Sequence, residues 1–176
     1  DVTIYEMSDR LGGSLIPACA PECKQDLRDY FAWILRQIDK SGAKVLLNTK
    51  ATKELLDKEA YDVIILAVGA EPLIPKSIPG IDKPHVCWAP DAQMGKFEVG
   101  KKLAVIGSGA VGMEAAMEFH DAGKDVFVIE MATEENCRKS VSKTSGPPSR
   151  EMFMLMEQKQ IKQHYGMRLD EICDDK

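Results

Sequence analysis

Apolar positions along the chain fall into two alternating rhythms. Short apolar runs, such as Val63-Ile64-Ile65-Leu66, Leu103-Ala104-Val105-Ile106 and Val126-Phe127-Val128-Ile129, are separated by longer stretches with helical spacing. The pattern predicts strands over 2–6, 43–48, 61–67, 102–106, 125–130 and 167–172. Helices are expected over 24–40, 109–122 and 148–165, with a short helical turn over 52–58. Residues 7–23 and 132–147 read as loops. Five prolines between 70 and 100 (Pro72, Pro75, Pro79, Pro84 and Pro90) exclude long regular structure there. Strands that alternate with helices argue for parallel sheet and the α/β class. The runs 63–68 and 103–106 are continuous, as in strands covered on both faces.

One junction between a strand and a helix carries chemistry. Gly107-Ser108-Gly109-Ala110-Val111-Gly112 follows the strand 102–106, and Glu130 closes the next strand, 23 positions after the first glycine (130 − 107). In such a fingerprint the first glycine makes the tight turn and the second admits backbone to a pyrophosphate. The third lets the helix pack close to the strands. The helix then points its free N–H groups and positive dipole end at the diphosphate. Glu130 stands where a carboxylate accepts hydrogen bonds from the adenosine ribose hydroxyls and repels a 2′-phosphate, which favours NADH over NADPH. Arg138 and Lys139, in the polar loop beyond, are the cations that could fold back to offset this preference.

The chain also repeats itself. Asp1-Val2-Thr3-Ile4-Tyr5-Glu6-Met7 matches Asp125-Val126-Phe127-Val128-Ile129-Glu130-Met131 at Asp, Val, Glu and Met, and the same offset carries Gly42 onto Gly166. Two copies of one β-α-β unit are implied. The expected architecture is α/β, with Rossmann-like three-layer units on parallel sheet, arranged as two tandem partial dinucleotide-binding domains. Residues 1–98 would form the first, without its opening strand and glycine loop, and residues 99–176 the second, without its last strands.

Composition narrows the function classes. The 176 residues are 44% hydrophobic and carry a net charge of −5, which leaves no basic footprint for nucleic acid or an anionic membrane. No apolar stretch approaches the roughly 20 residues that span a bilayer. Five scattered cysteines (Cys19, Cys23, Cys87, Cys137 and Cys173) suit free thiols in a reducing compartment, so a cytoplasmic setting is expected. No metal site and no catalytic acid or base is assigned.

Taken in order, Glu6 with Arg10-Leu11-Gly12-Gly13, Ala67-Val68-Gly69-Ala70-Glu71-Pro72, and Gly107 to Gly112 with Glu114 resemble the two-dinucleotide-binding-domain flavoprotein reductases. Leu11-Gly12-Gly13-Ser14-Leu15-Ile16-Pro17-Ala18 is similar, within them, to the C-terminal half of the 2,4-dienoyl-CoA reductase and clostridial 2-enoate reductase family. The resemblance covers almost the whole chain. It implies a region that binds FAD and NADH in a parent whose other parts carry FMN and a 4Fe–4S cluster. It further implies that Glu6 holds the FAD ribose, that Gly12 and Gly13 let backbone pass the flavin nucleotide, and that Ala67 and Gly69 mark the exit from the FAD domain. Val68 stands where the family has threonine. Glu114, on the first turn of its helix, would lie near the nicotinamide and flavin. Read from the residues alone, Glu6 also fits a solvated strand-end acid, Gly12-Gly13 an ordinary turn, Arg10 a diphosphate contact or a surface cation, and Glu114 a dipole-complementing acid.

The function expected from these features is passage of hydride from NADH to FAD in an enoate or 2,4-dienoyl-CoA reductase-like enzyme, with the isolated fragment inactive. The alternative is a non-redox module that holds ADP or NAD, structural or electron-transferring. The expected partners are the two nucleotides and the remainder of the parent enzyme, with self-association through truncated sheet edges.

Overall fold

The computed structural model describes residues 1–141 and 150–174. The chain forms two compact units, one of residues 1–19 and 23–72 and the other of residues 20–22 and 73–176. The predicted helix start at 148, and the prolines Pro147 and Pro148, lie outside the described residues.

In the first unit β1 (Thr3–Tyr5) is followed by a short helix α1 (Leu15–Ala18), the long helix α2 (Gln25–Ser41), β2 (Lys44–Leu46) and α3 (Lys53–Glu59). β1 and β2 pair in parallel, with Ile4 opposite Val45. Gly42 ends α2 in the left-handed region, φ 73°, where a residue without Cβ carries no strain. Thr52 caps α3 by accepting from Leu55 N–H at 3.3 Å. The Tyr5 and Tyr61 hydroxyls meet at 2.8 Å, which ties the end of β1 to the residue that opens the run 61–67.

That run is not a strand. Residues 63–68 are irregular, and Ile65 is 85% exposed. A strand exists only with a partner for its backbone groups, and among the described residues β1 pairs with β2 alone. Coverage on both faces is therefore not found for 63–68.

The second unit holds α4 (Ala89–Gln93), β3 (Lys102–Ile106), α5 (Ala110–Asp121), β4 (Asp125–Glu130), α6 (Glu134–Val141), α7 (Arg150–Gln158) and β5 (Lys162–Tyr165). Its sheet is parallel, in the order β3-β4-β5. Val126 and Val128, two apart on β4 and so on one face, are buried with Met113 and Ala116 of α5, Phe153 and Met156 of α7, and Ile161. The other face of β3 is open, since Ala104 and Ile106 are exposed, so 103–106 is covered on one face only.

Three further expectations are corrected. Residues 134–141 are helical, not part of a loop: Thr133 Oγ1 accepts from Asn136 N–H at 3.3 Å, and Arg138 pairs with Glu134 one turn back at 2.9 Å. The helix expected to reach 165 stops at Gln158. Gln160 turns left-handed (φ 56°), Ile161 enters the core, and the alternating pattern Lys162-Gln163-His164-Tyr165 becomes β5. The last strand thus precedes Gly166, and 167–172 is irregular, which breaks the internal repeat at this point.

Candidate cofactor site

The glycine loop sits where β3 runs into α5. Gly107 closes the strand by donating its N–H to Ile129 O at 2.8 Å, with φ 98°, a conformation strained for any residue with a side chain. Gly109 caps α5 in extended geometry (φ −71°, ψ 177°), and nothing stands within 4 Å of the place its Cβ would take. Gly112 faces the loop: a Cβ there would lie 2.0 Å from Gly107 O, so only glycine lets the helix approach this closely. Ala110 and Val111 complete the first turn, whose amides have no intrahelical partner. These amides and the open face of Gly109 fit a diphosphate. Glu114 falls in the second turn, since α5 begins at Ala110 and has no acid in its first turn. Its expected dipole role is weakened accordingly, because that effect fades beyond the terminal turn.

Glu130 ends β4 beside this loop. Its Oε2 accepts from Ser108 N–H at 2.8 Å and Ser108 Oγ at 3.0 Å, and its Oε1 accepts from Ala132 N–H at 2.7 Å. Burial works against ionisation here, but the Ala132 and Ser108 hydrogen bonds outweigh it and hold the carboxyl below the usual glutamate range. Ser108, Gly109, Glu130, Ala132, Asn136, Cys137 and Phe153 line a cavity of about 250 Å³. Its polar end is the carboxylate and the loop. Its apolar wall includes Phe153, whose ring carries the Arg138 guanidinium 5.2 Å from its centroid.

Arg138 does not turn toward Glu130. It is bonded to Glu134 and Glu157, and Lys139 pairs with Glu135. The cations expected to offset a preference for NADH are thus paired with acids on α6 and α7.

The first unit brings some of its expected residues together and not others. Glu6, just after β1, accepts from Ser8 N–H at 2.7 Å, and that bond holds its carboxyl below the usual range. Gly12 is required by packing: at φ 132° its missing Cβ would lie 2.4 Å from the Phe31 ring. Gly13 (φ 46°) leads into α1, and Gly69 (φ 70°) comes close to Ser14, whose Oγ lies 3.8 Å from the position of its absent Cβ. Arg10 is exposed, its carbonyl accepting from Ser8 Oγ at 2.7 Å, and Ala67 lies in the exposed irregular run.

Asn136, Cys137, Phe153 and Ala132 were not expected in the site. The loop assignment over 132–147 hid the first two, although the spacing of Glu134 with Arg138 and of Glu135 with Lys139 is a helical signal. Phe153 reads as core, and is core, but its ring edge also walls the cavity.

Residues 5–167 match the family model described as pyridine nucleotide-disulphide oxidoreductase, and the chain belongs to that family. The family is enzymatic, of flavoprotein oxidoreductases that bind FAD and a pyridine nucleotide, NADH among the relatives matched. The chain is 35% identical over 130 residues to cinnamate reductase of Clostridium sporogenes, which covers 74% of this chain and 19% of that protein. It is 32% identical over 137 residues to an NADH oxidase of Thermoanaerobacter brockii, covering 76% and 21% respectively. Among solved structures, 2-naphthoyl-CoA reductase in complex with 2-naphthoyl-CoA superimposes with a TM-score of 0.76 at 31% identity, over 99% of this chain and 26% of that one. The chain therefore spans about a fifth to a quarter of the length of these relatives. No helix among the described residues is long and apolar enough to cross a membrane.

Proposed function

We propose that the chain is the nucleotide-binding portion of a flavin-dependent reductase of the enoate or 2,4-dienoyl-CoA kind, in which hydride passes from NADH to FAD. The observation that carries this reading is the joint geometry of the Gly107–Gly112 loop and Glu130, which offers open amides for a diphosphate and, within one cavity, a carboxylate for a ribose. In this proposal residues 99–176 hold NADH through Gly107, Ser108, Gly109, Ala110, Val111, Gly112 and Glu130. Residues 1–98 hold FAD through Glu6, Arg10, Gly12, Gly13, Ala67 and Gly69, with Glu114 near the two rings. FMN and a 4Fe–4S cluster belong to other parts of the parent, and the setting is cytoplasmic. Similarity to cinnamate reductase and 2-naphthoyl-CoA reductase supports an unsaturated acid or its CoA thioester as substrate class.

Calorimetric titration of the chain with NADH tests the nucleotide site. Binding is expected, with Gly109→Val abolishing it, because a side chain there would occupy the diphosphate position. An unchanged affinity in Gly109→Val overturns the assignment. In the intact parent, anaerobic NADH should bleach the flavin band; binding without bleaching would replace the redox reading by a nucleotide-holding module.

A further inference from the structure

We propose that Ser108 is a positioning residue, which locks the Glu130 carboxylate in the orientation that selects NADH over its 2′-phosphorylated form. The inference rests on the reading of the second unit as an NADH site. Ser108 is 3% exposed, and a hydroxyl so buried needs a partner. Its N–H and its Oγ both reach one atom, Glu130 Oε2, at 2.8 and 3.0 Å.

Proton accounting fixes the direction of each bond. An ionised carboxylate only accepts, so the Ser108 hydroxyl proton goes to Glu130. Cys137 Sγ lies 3.8 Å from Ser108 Oγ, on the cavity side of that hydroxyl's surroundings. The second oxygen, Oε1, is held by Ala132 N–H at 2.7 Å. The two donors of Ser108 thus converge on Oε2, while Ala132 N–H and, more weakly, the Met131 backbone act on the same carboxyl.

The carboxylate so held lines the cavity. A ribose hydroxyl can donate to it, whereas a 2′-phosphate offers only like charge. Discrimination of this kind requires the carboxylate to stay in place when the wrong nucleotide arrives. With the Ser108 hydroxyl gone, Glu130 keeps its backbone donors but loses the side-chain donor to Oε2, and can swing from an incoming phosphate.

The experiment is a double-mutant cycle on the full chain, with Ser108→Ala, Glu130→Ala and the double variant titrated with NADH and with NADPH. Ser108→Ala should weaken NADH binding about 5- to 10-fold and weaken NADPH binding less, so that the preference shrinks. In the Glu130→Ala background the same substitution should change neither affinity. A merely structural role would lower both affinities alike and would persist without Glu130; either result overturns the proposal. Thermal unfolding confirms that each variant is folded, and Ser108→Gly, which also lacks the hydroxyl, carries the same test if alanine is not accommodated. A wild-type chain that binds no NADH removes the reading beneath the proposal and the proposal with it. A wild-type chain that binds NADH with a preference untouched by Ser108→Ala removes the proposal alone.

Discussion

Glu130 shows at the residue scale how a single side chain serves two ends. It accepts from Ser108 and Ala132, with the Met131 backbone also acting on it, and lines the cavity where a ribose would sit. Glu130→Ala should weaken NADH binding by about 1–3 kcal/mol, the cost of deleting a charged hydrogen-bond partner. Discrimination against NADPH should shrink in parallel, as titration of both nucleotides would show. The same carboxyl sets an acid limit. Its folded-state value lies below the ordinary glutamate value of about 4.3, because the Ala132 and Ser108 bonds outweigh the burial that opposes ionisation. Its contribution to stability is therefore complete above that ordinary value and is lost as pH falls through the lower folded value. Between neutral pH and about pH 5 the unfolding midpoint should not change on account of this group, and Glu130→Gln should flatten the acid limb below it. The position of Glu130 beside the glycine loop was legible from spacing alone. Its hydrogen bonds to Ser108 were not, because a separation of 22 residues closes only when β3 and β4 pair.

Gly112 illustrates, at the scale of elements, why the glycine loop is the most legible part of the fold. The sequence expectation was that the third glycine permits close approach of helix and strand, and the obstacle is a backbone oxygen 2.0 Å from the missing Cβ. Gly112→Ala gains up to about 1 kcal/mol of helix propensity but incurs overpacking of roughly 1–3 kcal/mol. Because the obstacle is backbone, with no rotamer to yield, the second effect should win. A lower unfolding midpoint together with weaker NADH binding is the expected outcome; a raised midpoint would show that the loop shifts freely. At the cap of α3, Thr52→Ala should cost about 1 kcal/mol of stability, since it removes the acceptor for Leu55 N–H. The less legible elements share one feature. Helix α6 is amphipathic through ion pairs instead of apolar residues, and β5 is four residues with only alternating polarity to mark it. Periodicity of hydrophobicity, which found β3, α5 and β4, carries little signal for either.

At the scale of the whole chain, the alternation of strands and helices identified the α/β class and the parallel pairing, the internal repeat implied two β-α-β units, and the likeness to 2-naphthoyl-CoA reductase agrees with the class. The repeat misplaced the last strand because sequence self-similarity cannot show which side of Gly166 is taken up by the sheet. It also could not show whether the run 63–68 would find a partner. In the structure this run is the largest departure from the rule that apolar residues are covered: Val63 is 75%, Leu66 78% and Val68 89% exposed. An apolar segment with unpaired backbone and no charge or proline between 63 and 68 lacks the protections that natural edges use, and contiguous exposed apolar surface of this kind seeks burial. The chain is therefore expected to self-associate through this segment, with a second copy as the covering partner. Light scattering coupled to size exclusion should give a mass that rises with protein concentration. A charge at the centre of the run, Ile65→Lys, should return the mass toward that of one chain while leaving NADH affinity unaltered, because Ile65 lies in the first unit and the glycine loop in the second. A wild-type mass of one chain at every concentration would refute the association, and a concentration-dependent mass that Ile65→Lys leaves unchanged would move it to another surface.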